Sequence, residues 1–91
     1  DLEVAIPPEA DREVVDRIIF EELCHGQIVE SSRSEYCRII SDFAEQGIGS
    51  VILGCTEIGL LVWPEDTAGS LFDTAKIHAV AAAHYALEDT P

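Results

Sequence analysis

Apolar residues recur at helical spacing in two segments of the chain. The first segment runs from Glu9 to Cys24, and acids in or near its first turn complement the dipole of the predicted helix. Gly26 follows as a residue suited to a left-handed helix end. The apolar positions of this segment, which fall on one face, are Val14, Val15, Ile18, Ile19 and Leu23.

The second helical segment begins near two serines and runs to about Gln46. Ser31 and Ser32 are candidate N-caps, and Ser32 with Glu35 matches a capping box. We expect Tyr36, Ile40, Phe43 and Ala44 to form the buried side of this helix. Glycines after Gln46 then end it.

Two short apolar runs predict strands. Ser50–Leu53 is rich in β-branched residues, which is typical of a strand buried on both faces in a parallel sheet. Leu2–Ile6 alternates loosely and ends at two prolines, which cannot continue a ladder. The helices between these runs predict a parallel pairing with a right-handed crossover.

A third helix is predicted at the end of the chain. It starts from Asp73 or Thr74 as N-cap and covers about residues 74–88, with many alanines that suit close packing. The resulting order is β-α-α-β-α, which indicates an α/β fold and part of a three-layer, parallel-sheet lobe. Two strands are few for such a sheet, so we expect residues 1–91 to be one incomplete lobe.

The amino-acid composition of the chain argues against some classes of binding partner, nucleic acid and anionic membranes above all. The net charge is -13, from 18 acidic and 5 basic residues, and the scattered cations do not form a phosphate-binding cluster. Nucleic acid and an anionic membrane surface are therefore not expected partners. No apolar run reaches the roughly 18 residues that span a bilayer. The chain also contains no Met and begins on a strand-like pattern, so we expect it to be a piece of a larger protein.

Three cysteines, Cys24, Cys37 and Cys55, form no CxxC pair. This pattern argues against a disulfide framework and a zinc site, and it favours a reducing, cytoplasmic compartment. His78 and His84 are six residues apart, which does not align them for metal binding. No dinucleotide, P-loop, zincin or hydrolase motif occurs, so the sequence indicates no cofactor.

Candidate chemistry lies in Gly54-Cys55-Thr56-Glu57, directly after the predicted strand. The carboxyl ends of strands are where open α/β sheets bind ligands. We expect the N–H groups of a following helical turn to lower the pKa of the Cys55 thiol below its ordinary value of about 8.5. Thr56 and Glu57 can contact substrate, or either can cap the turn that follows. A buried, structural thiol is the common alternative for Cys55.

For three other residues we favour a structural role over a functional one. Cys24 and Cys37 lie on amphipathic helices and are expected to serve in packing. Arg33 can bind an anionic ligand or pair with Glu30 or Glu35, and pairing is favoured.

Several of these segments resemble the aspartate/glutamate racemase family, and the resemblance covers nearly the whole chain. Residues 51–61, VILGCTEIGLL, are similar to the second cysteine motif of that family, and residues 71–79, LFDTAKIHA, to its closing segment. Residues 18–26, IIFEELCHG, and the Ser31-Ser32-Arg33 triplet also resemble these racemases.

The resemblance implies a cofactor-independent racemase of acidic amino acids with two similar lobes. In such enzymes one cysteine removes the Cα proton and a cysteine from the other lobe returns one to the opposite face. Cys55 matches the second cysteine, while Gly54, Thr56 and Glu57 match substrate-binding positions. The chain then corresponds to the C-terminal lobe with the final helix, and we expect it to be inactive alone.

Two departures from the family pattern stand out. The first cysteine motif is absent, and neither Cys24 nor Cys37 has its sequence context. Gly59 stands where a proline is usual, which would loosen the turn. A homo-oligomer, or association through the surface that the missing lobe normally covers, is a further expectation.

Two alternatives stay open. Related enzymes of the superfamily act on hydantoins, maleate or arylmalonates, and the lining that selects among these substrates lies partly outside this chain. The other alternative is a non-catalytic α/β domain.

Overall fold

The computed structural model describes residues 3–67 and 69–88. Its helices and strands are α1 (Glu9–Glu21), α2 (Glu30–Glu45), β1 (Ser50–Leu53), β2 (Ser70–Asp73) and α3 (Thr74–Glu88). Short 3₁₀ turns occur at Leu23–His25, Ile58–Leu60 and Pro64–Asp66.

The two strands form a parallel pair. Ser50 lies opposite Ser70 and Leu53 lies opposite Asp73, so both strands end at the same edge of the sheet. The hydroxyl of Thr74, the first residue of α3, donates to the carbonyl of Leu53 at 2.9 Å. This bond joins the start of α3 to the end of β1. The α/β class and the incomplete parallel sheet are therefore confirmed.

The first predicted strand is wrong for the residues that the structure describes. Residues 3–6 have no regular structure, and Val4 and Ile6 are 84% and 66% exposed; Leu2 lies outside the described residues. Within the described part of the chain, β1 hydrogen-bonds only to β2, so residues 3–6 have no strand to pair with. The second strand is instead Ser70–Asp73, a segment for which no strand is predicted from the sequence.

The core lies between α1, α2 and the segment after β1. Ile18, Leu23, Tyr36 and Ile40 are buried, as the helical spacing predicts, and they pack with the fully buried Leu61 and Val62. Complete burial of one such aliphatic side chain contributes about 1.5–3 kcal/mol. Ala44 is exposed, so its predicted place on the buried side is wrong.

The sheet is covered on one face only. Val51 and Leu71 pack against the core, whereas Ile52 and Phe72 point to the other face and are 69% and 45% exposed. The expectation that Ser50–Leu53 is buried on both faces is therefore wrong. The reason is that no described helix packs over the second face of this strand pair.

The start of α2 also differs from its prediction. The helix begins at Glu30, and its N-cap is Val29, which makes no side-chain cap bond. Ser32 consequently lies inside the first turn, where its buried hydroxyl donates to the Glu22 carboxylate at 2.5 Å. The predicted capping box of Ser32 and Glu35 is therefore wrong.

A polar cluster holds the Trp63–Asp66 loop against α2. The Nε–H and one terminal N–H of Arg33 donate to the two oxygens of the Asp66 carboxylate. The guanidinium lies 4.6 Å from the centre of the Trp63 ring. The N–H of Trp63 also donates to Asp66 at 2.8 Å. The predicted pairing of Arg33 with Glu30 is confirmed at 3.7 Å, but its principal partner is Asp66.

The N-cap of α3 depends on a glycine in the preceding turn. Asp73 accepts a hydrogen bond from the N–H of Lys76 at 3.2 Å, which confirms Asp73 as the N-cap. The other oxygen of that carboxylate occupies the place where a side chain at Gly59 would begin. Gly59 therefore leaves room for the carboxylate that caps α3.

We expect Gly59→Ala to destabilise the chain by about 1 kcal/mol, because the new methyl group displaces the Asp73 cap. Urea unfolding followed by circular dichroism measures this change. Gly49→Ala is the matched control, since open space surrounds its Cβ position and the substitution stiffens the unfolded chain. An equal loss from Gly59→Ala in an Asp73→Ala background would contradict the explanation, because the displaced group is then absent.

Candidate functional site

The candidate site lies at the edge of the sheet where both strands end. Gly54, Cys55, Thr56 and Glu57 follow β1 directly, and the carbonyl of Cys55 accepts the N–H of Ile58 at 3.3 Å. The turn is anchored on both sides, by Leu53 at 5% exposure before it and by Leu61 at 1% after it. Burial of these two side chains therefore fixes where the polar residues between them lie.

A hydrogen bond joins two of the predicted site residues. The half-buried thiol of Cys55 donates to the Glu57 carboxylate, with 2.7 Å between Sγ and Oε2. Glu57 is the N-cap residue of the Ile58–Leu60 turn, yet its side chain makes no cap bond. The carboxylate is therefore directed at the thiol, and the capping alternatives for Thr56 and Glu57 are wrong.

The hydrogen bond sets the protonation of the thiol. The pKa of Cys55 is raised, first because its thiol donates to Glu57 and next because the sulfur is partly buried. Ionisation would place a thiolate beside a carboxylate, and a three-residue 3₁₀ turn supplies too few aligned N–H groups to offset that repulsion. The expected lowering of this pKa is therefore wrong in this structure.

Glu57 is held in its ionised form. Its pKa is lowered, chiefly by the hydrogen bond from Cys55 and then by one from the Thr56 side chain. Each donor stabilises the carboxylate more than the neutral acid. Cys55 and Glu57 therefore form a protonated donor next to an anion, which is a defined arrangement for moving one proton.

The remaining predicted positions are accessible. Gly54 and Thr56 are exposed on the same edge, where their N–H groups and the Thr56 hydroxyl can meet a ligand. The structure thus brings all four predicted residues together on one short turn. Their contacts with a substrate stay a prediction.

Tyr36, which the sequence predicts only as a core residue, interacts electrostatically with Cys55. Its hydroxyl donates to the carbonyl of Val15 at 3.0 Å. Burial raises its pKa most, and the charges of Cys55 and Glu22 raise it further. Tyr36 and Cys55 are far apart in sequence, and no spacing signal connects them.

The other candidate residues are not part of the hydrogen bond between Cys55 and Glu57. Cys24 is exposed, so its predicted packing role is wrong because it lies in the turn after α1. Cys37 is partly buried, and burial raises its pKa, as suits a packing residue. His78 and His84 are exposed on α3. Across residues 3–67 and 69–88, no three His, Cys, Asp or Glu side chains are placed to hold a metal ion.

The site is an open edge rather than an enclosed pocket. One groove, of about 240 Å³, lies between the end of the sheet and α3 and includes Gly59, Asp73 and Lys76. Another lies between the N-terminus of α1 and the end of α2. Neither of these two grooves is lined by Cys55, Thr56 or Glu57. None of the described helices has the length and apolar character needed to cross a membrane.

Comparison with known proteins identifies a relative of known structure. The chain matches no protein-family model. Its fold and sequence match the crystal structure of a "putative Asp/Glu Racemase" from Yersinia pestis, with 53% identity and a TM-score of 0.86. The match covers 94% of this chain and 37% of that protein.

The two coverage values show how this chain corresponds to the Yersinia protein. Nearly the whole chain aligns with the Yersinia protein, whereas more than half of that protein has no counterpart here. An identity of 53% with matching structure indicates common descent. The chain therefore belongs to the Asp/Glu racemase family and corresponds to part of the length of the Yersinia member.

Proposed function

We propose that this chain is one cysteine-bearing half of a cofactor-independent racemase that acts on acidic amino acids. The observation that carries the proposal is the Cys55 thiol, which donates to Glu57 at the edge where the parallel strands end. The relationship to a protein described as an Asp/Glu racemase supports the reaction class.

Racemisation needs a group that removes the Cα proton and a group that supplies a proton to the opposite face. In the geometry of this chain, Cys55 holds its proton because Glu57 disfavours the thiolate. Cys55 is therefore suited to deliver the proton, while a base on the other side of the substrate removes one. That base belongs to the part of the protein that this chain does not contain.

The same pair serves the reverse direction. After Cys55 has given up its proton, its thiolate lies beside the Glu57 carboxylate, and the repulsion between the two anions makes the thiolate a stronger base. It then takes a proton from Cα readily. By raising the pKa of Cys55, Glu57 allows this one side chain to act as the acid in one direction and as the base in the other.

Neighbouring groups bind the substrate in this proposal. The exposed backbone of Gly54 and the Thr56 hydroxyl donate to the α-carboxylate, and the Glu57 carboxylate accepts from the ammonium group. Short-range donors are necessary because the chain carries a net charge of -13, which disfavours the approach of an anion. Because the second base of the proposed pair is not part of this chain, we expect the chain alone not to catalyse racemisation.

We expect Glu57→Gln to lower the pH at which Cys55 becomes reactive, because a neutral amide no longer opposes the thiolate. The measurement is the rate of alkylation of the Cys55 peptide by iodoacetamide across pH, followed by mass spectrometry. The exposed Cys24 in the same molecule is the internal reference.

Glu65→Gln is the matched control, since Glu65 is an exposed acid on the neighbouring loop. It should leave the Cys55 profile unchanged. An unchanged midpoint in Glu57→Gln, or an equal shift in both variants, would contradict the role of Glu57.

The catalytic role of Cys55 is testable in a chimera in which this chain replaces the matching segment of the Yersinia protein. We expect the chimera to exchange the Cα hydrogen of aspartate or glutamate in D₂O, as measured by NMR. Cys55→Ser should slow this exchange at least about 100-fold, because general acid–base catalysis contributes at least that factor.

Two outcomes count against this proposal. Exchange of the Cα hydrogen by the isolated chain would show that Cys55 needs no second base from another part of the protein. A chimera that acts on a hydantoin or on maleate but on neither amino acid would contradict the substrate class. Cys37→Ser, which changes a thiol on α2 outside the proposed site, is the control for loss of fold.

A further inference from the structure

The carboxylate of Asp73 makes two contacts, and only one of them is explained by the start of α3. Its Oδ1 accepts a hydrogen bond from the N–H of Lys76 at 3.2 Å and so caps the helix. Its Oδ2 lies where the Cβ of a residue at Gly59 would be. The carboxylate therefore rests against the backbone of Gly59, an approach that any larger residue would block.

Gly59 belongs to the turn that carries the candidate site. It lies inside the 3₁₀ turn Ile58–Leu60, and Glu57 is the N-cap residue of that turn. The carbonyl of Glu57 accepts the N–H of Leu60 at 3.0 Å. Because this bond closes one turn of backbone around Gly59, a group that restrains Gly59 also restrains the backbone that carries Glu57.

Three contacts hold this turn at the end of the sheet. Leu61, which follows the turn, is 1% exposed and anchors it in the core. The Thr74 hydroxyl bonds to the carbonyl of Leu53, the last residue of β1. Asp73 supplies the third contact, at Gly59, beside the groove of about 240 Å³ that both residues line. The turn is therefore held by the core, by the strand end and by Asp73.

The hydrogen bond from Cys55 to Glu57 depends on the position of this turn. Sγ and Oε2 are 2.7 Å apart, and hydrogen bonds weaken steeply when distance or angle departs from the optimum. Glu57 has the largest influence on the pKa of Cys55, while Cys24 after α1 and Tyr36 on α2 also interact electrostatically with the thiol. The proton therefore stays on the sulfur only while the turn holds the Glu57 carboxylate in place.

We propose that Asp73 is a positioning residue for the Cys55–Glu57 pair, and that it acts by holding the turn at Gly59. Its carboxylate affects the pair through the backbone of the turn. The two oxygens have separate tasks, since one caps α3 and the other restrains Gly59. The consequence for proton transfer to a substrate rests on the proposed function, whereas the effect on the thiol does not.

Three substitutions separate these two tasks. Asp73→Ser keeps an oxygen that can cap α3, but its side chain is too short to reach Gly59. Asp73→Asn keeps both the cap and the contact and removes the negative charge. Gly59→Ala displaces the carboxylate and keeps its charge. The measurement is the rate of alkylation of the Cys55 peptide by iodoacetamide across pH, with Cys24 as the internal reference.

We expect Asp73→Ser and Gly59→Ala to lower the midpoint of the Cys55 profile by at least about half a pH unit, because Glu57 is no longer held against the thiol. This shift raises the thiolate fraction at a fixed pH below the midpoint about threefold. Asp73→Asn should retain the wild-type midpoint. Ile40→Val is the control for general loosening, since it removes a methylene from a buried side chain of α2 and should leave the midpoint unchanged.

Three results would overturn the proposal. An unchanged midpoint in Asp73→Ser would show that the contact with Gly59 does not position the pair. Equal shifts in Asp73→Ser and Asp73→Asn would assign the effect to the charge of Asp73, and an equal shift in Ile40→Val would assign it to lost stability. In a Glu57→Gln background, Asp73→Ser should add no further shift, and an added shift would contradict action through Glu57.

The outcome is separable from that of the proposed function. In the chimera, Asp73→Ser should slow exchange of the Cα hydrogen and Asp73→Asn should not. A chimera that exchanges the hydrogen of neither amino acid contradicts the proposed function, and a shifted profile in Asp73→Ser still supports the positioning role. An active chimera with an unshifted profile in Asp73→Ser contradicts the positioning role alone.

Discussion

The parallel pairing of β1 and β2 is the constraint on which the rest of the structure depends. Because Leu53 lies opposite Asp73, the cysteine turn and the first residues of α3 emerge at one edge, where the Thr74 hydroxyl bonds to Leu53. Parallel strands need a long connection, and here it carries both the site and the buried Leu61 and Val62. The pairing thus links the site to the core.

The same pairing leaves the structure one-sided. Helices α1 and α2 cover the inner face, while Ile52 and Phe72 lie open on the other. Parallel sheets are normally covered on both faces, so the exposed strand face and the exposed α3 have a common physical origin. Each is a surface that the chain builds but does not cover. The edge of the sheet at Cys55 is a third surface of this kind, because Gly54 and Thr56 are exposed there.

Local patterns predicted much of this structure, and long-range contacts account for the rest. The helical spacing identified the buried faces of α1 and α2. Residue type left Asp73 and Thr74 as alternative caps of α3, and the hydrogen bond from the N–H of Lys76 decides for Asp73. Residues 3–6 have a strand-like pattern but no partner strand, which a pattern cannot reveal. The Arg33–Asp66 pair joins residues that are 33 positions apart. The site turn was located from its motif, whereas the direction of the Cys55 pKa required the position of the Glu57 carboxylate.

The hydrogen bond from Cys55 to Glu57 decides whether the site presents a thiol or a thiolate. The most direct measurement is an NMR titration of the ¹³Cβ chemical shift of Cys55, which reports thiol and thiolate without a chemical probe. We predict a midpoint above the ordinary thiol pKa of about 8.5, with Cys55 protonated at neutral pH. A midpoint below that value would contradict it, since Glu57 would then not be holding the proton on the sulfur.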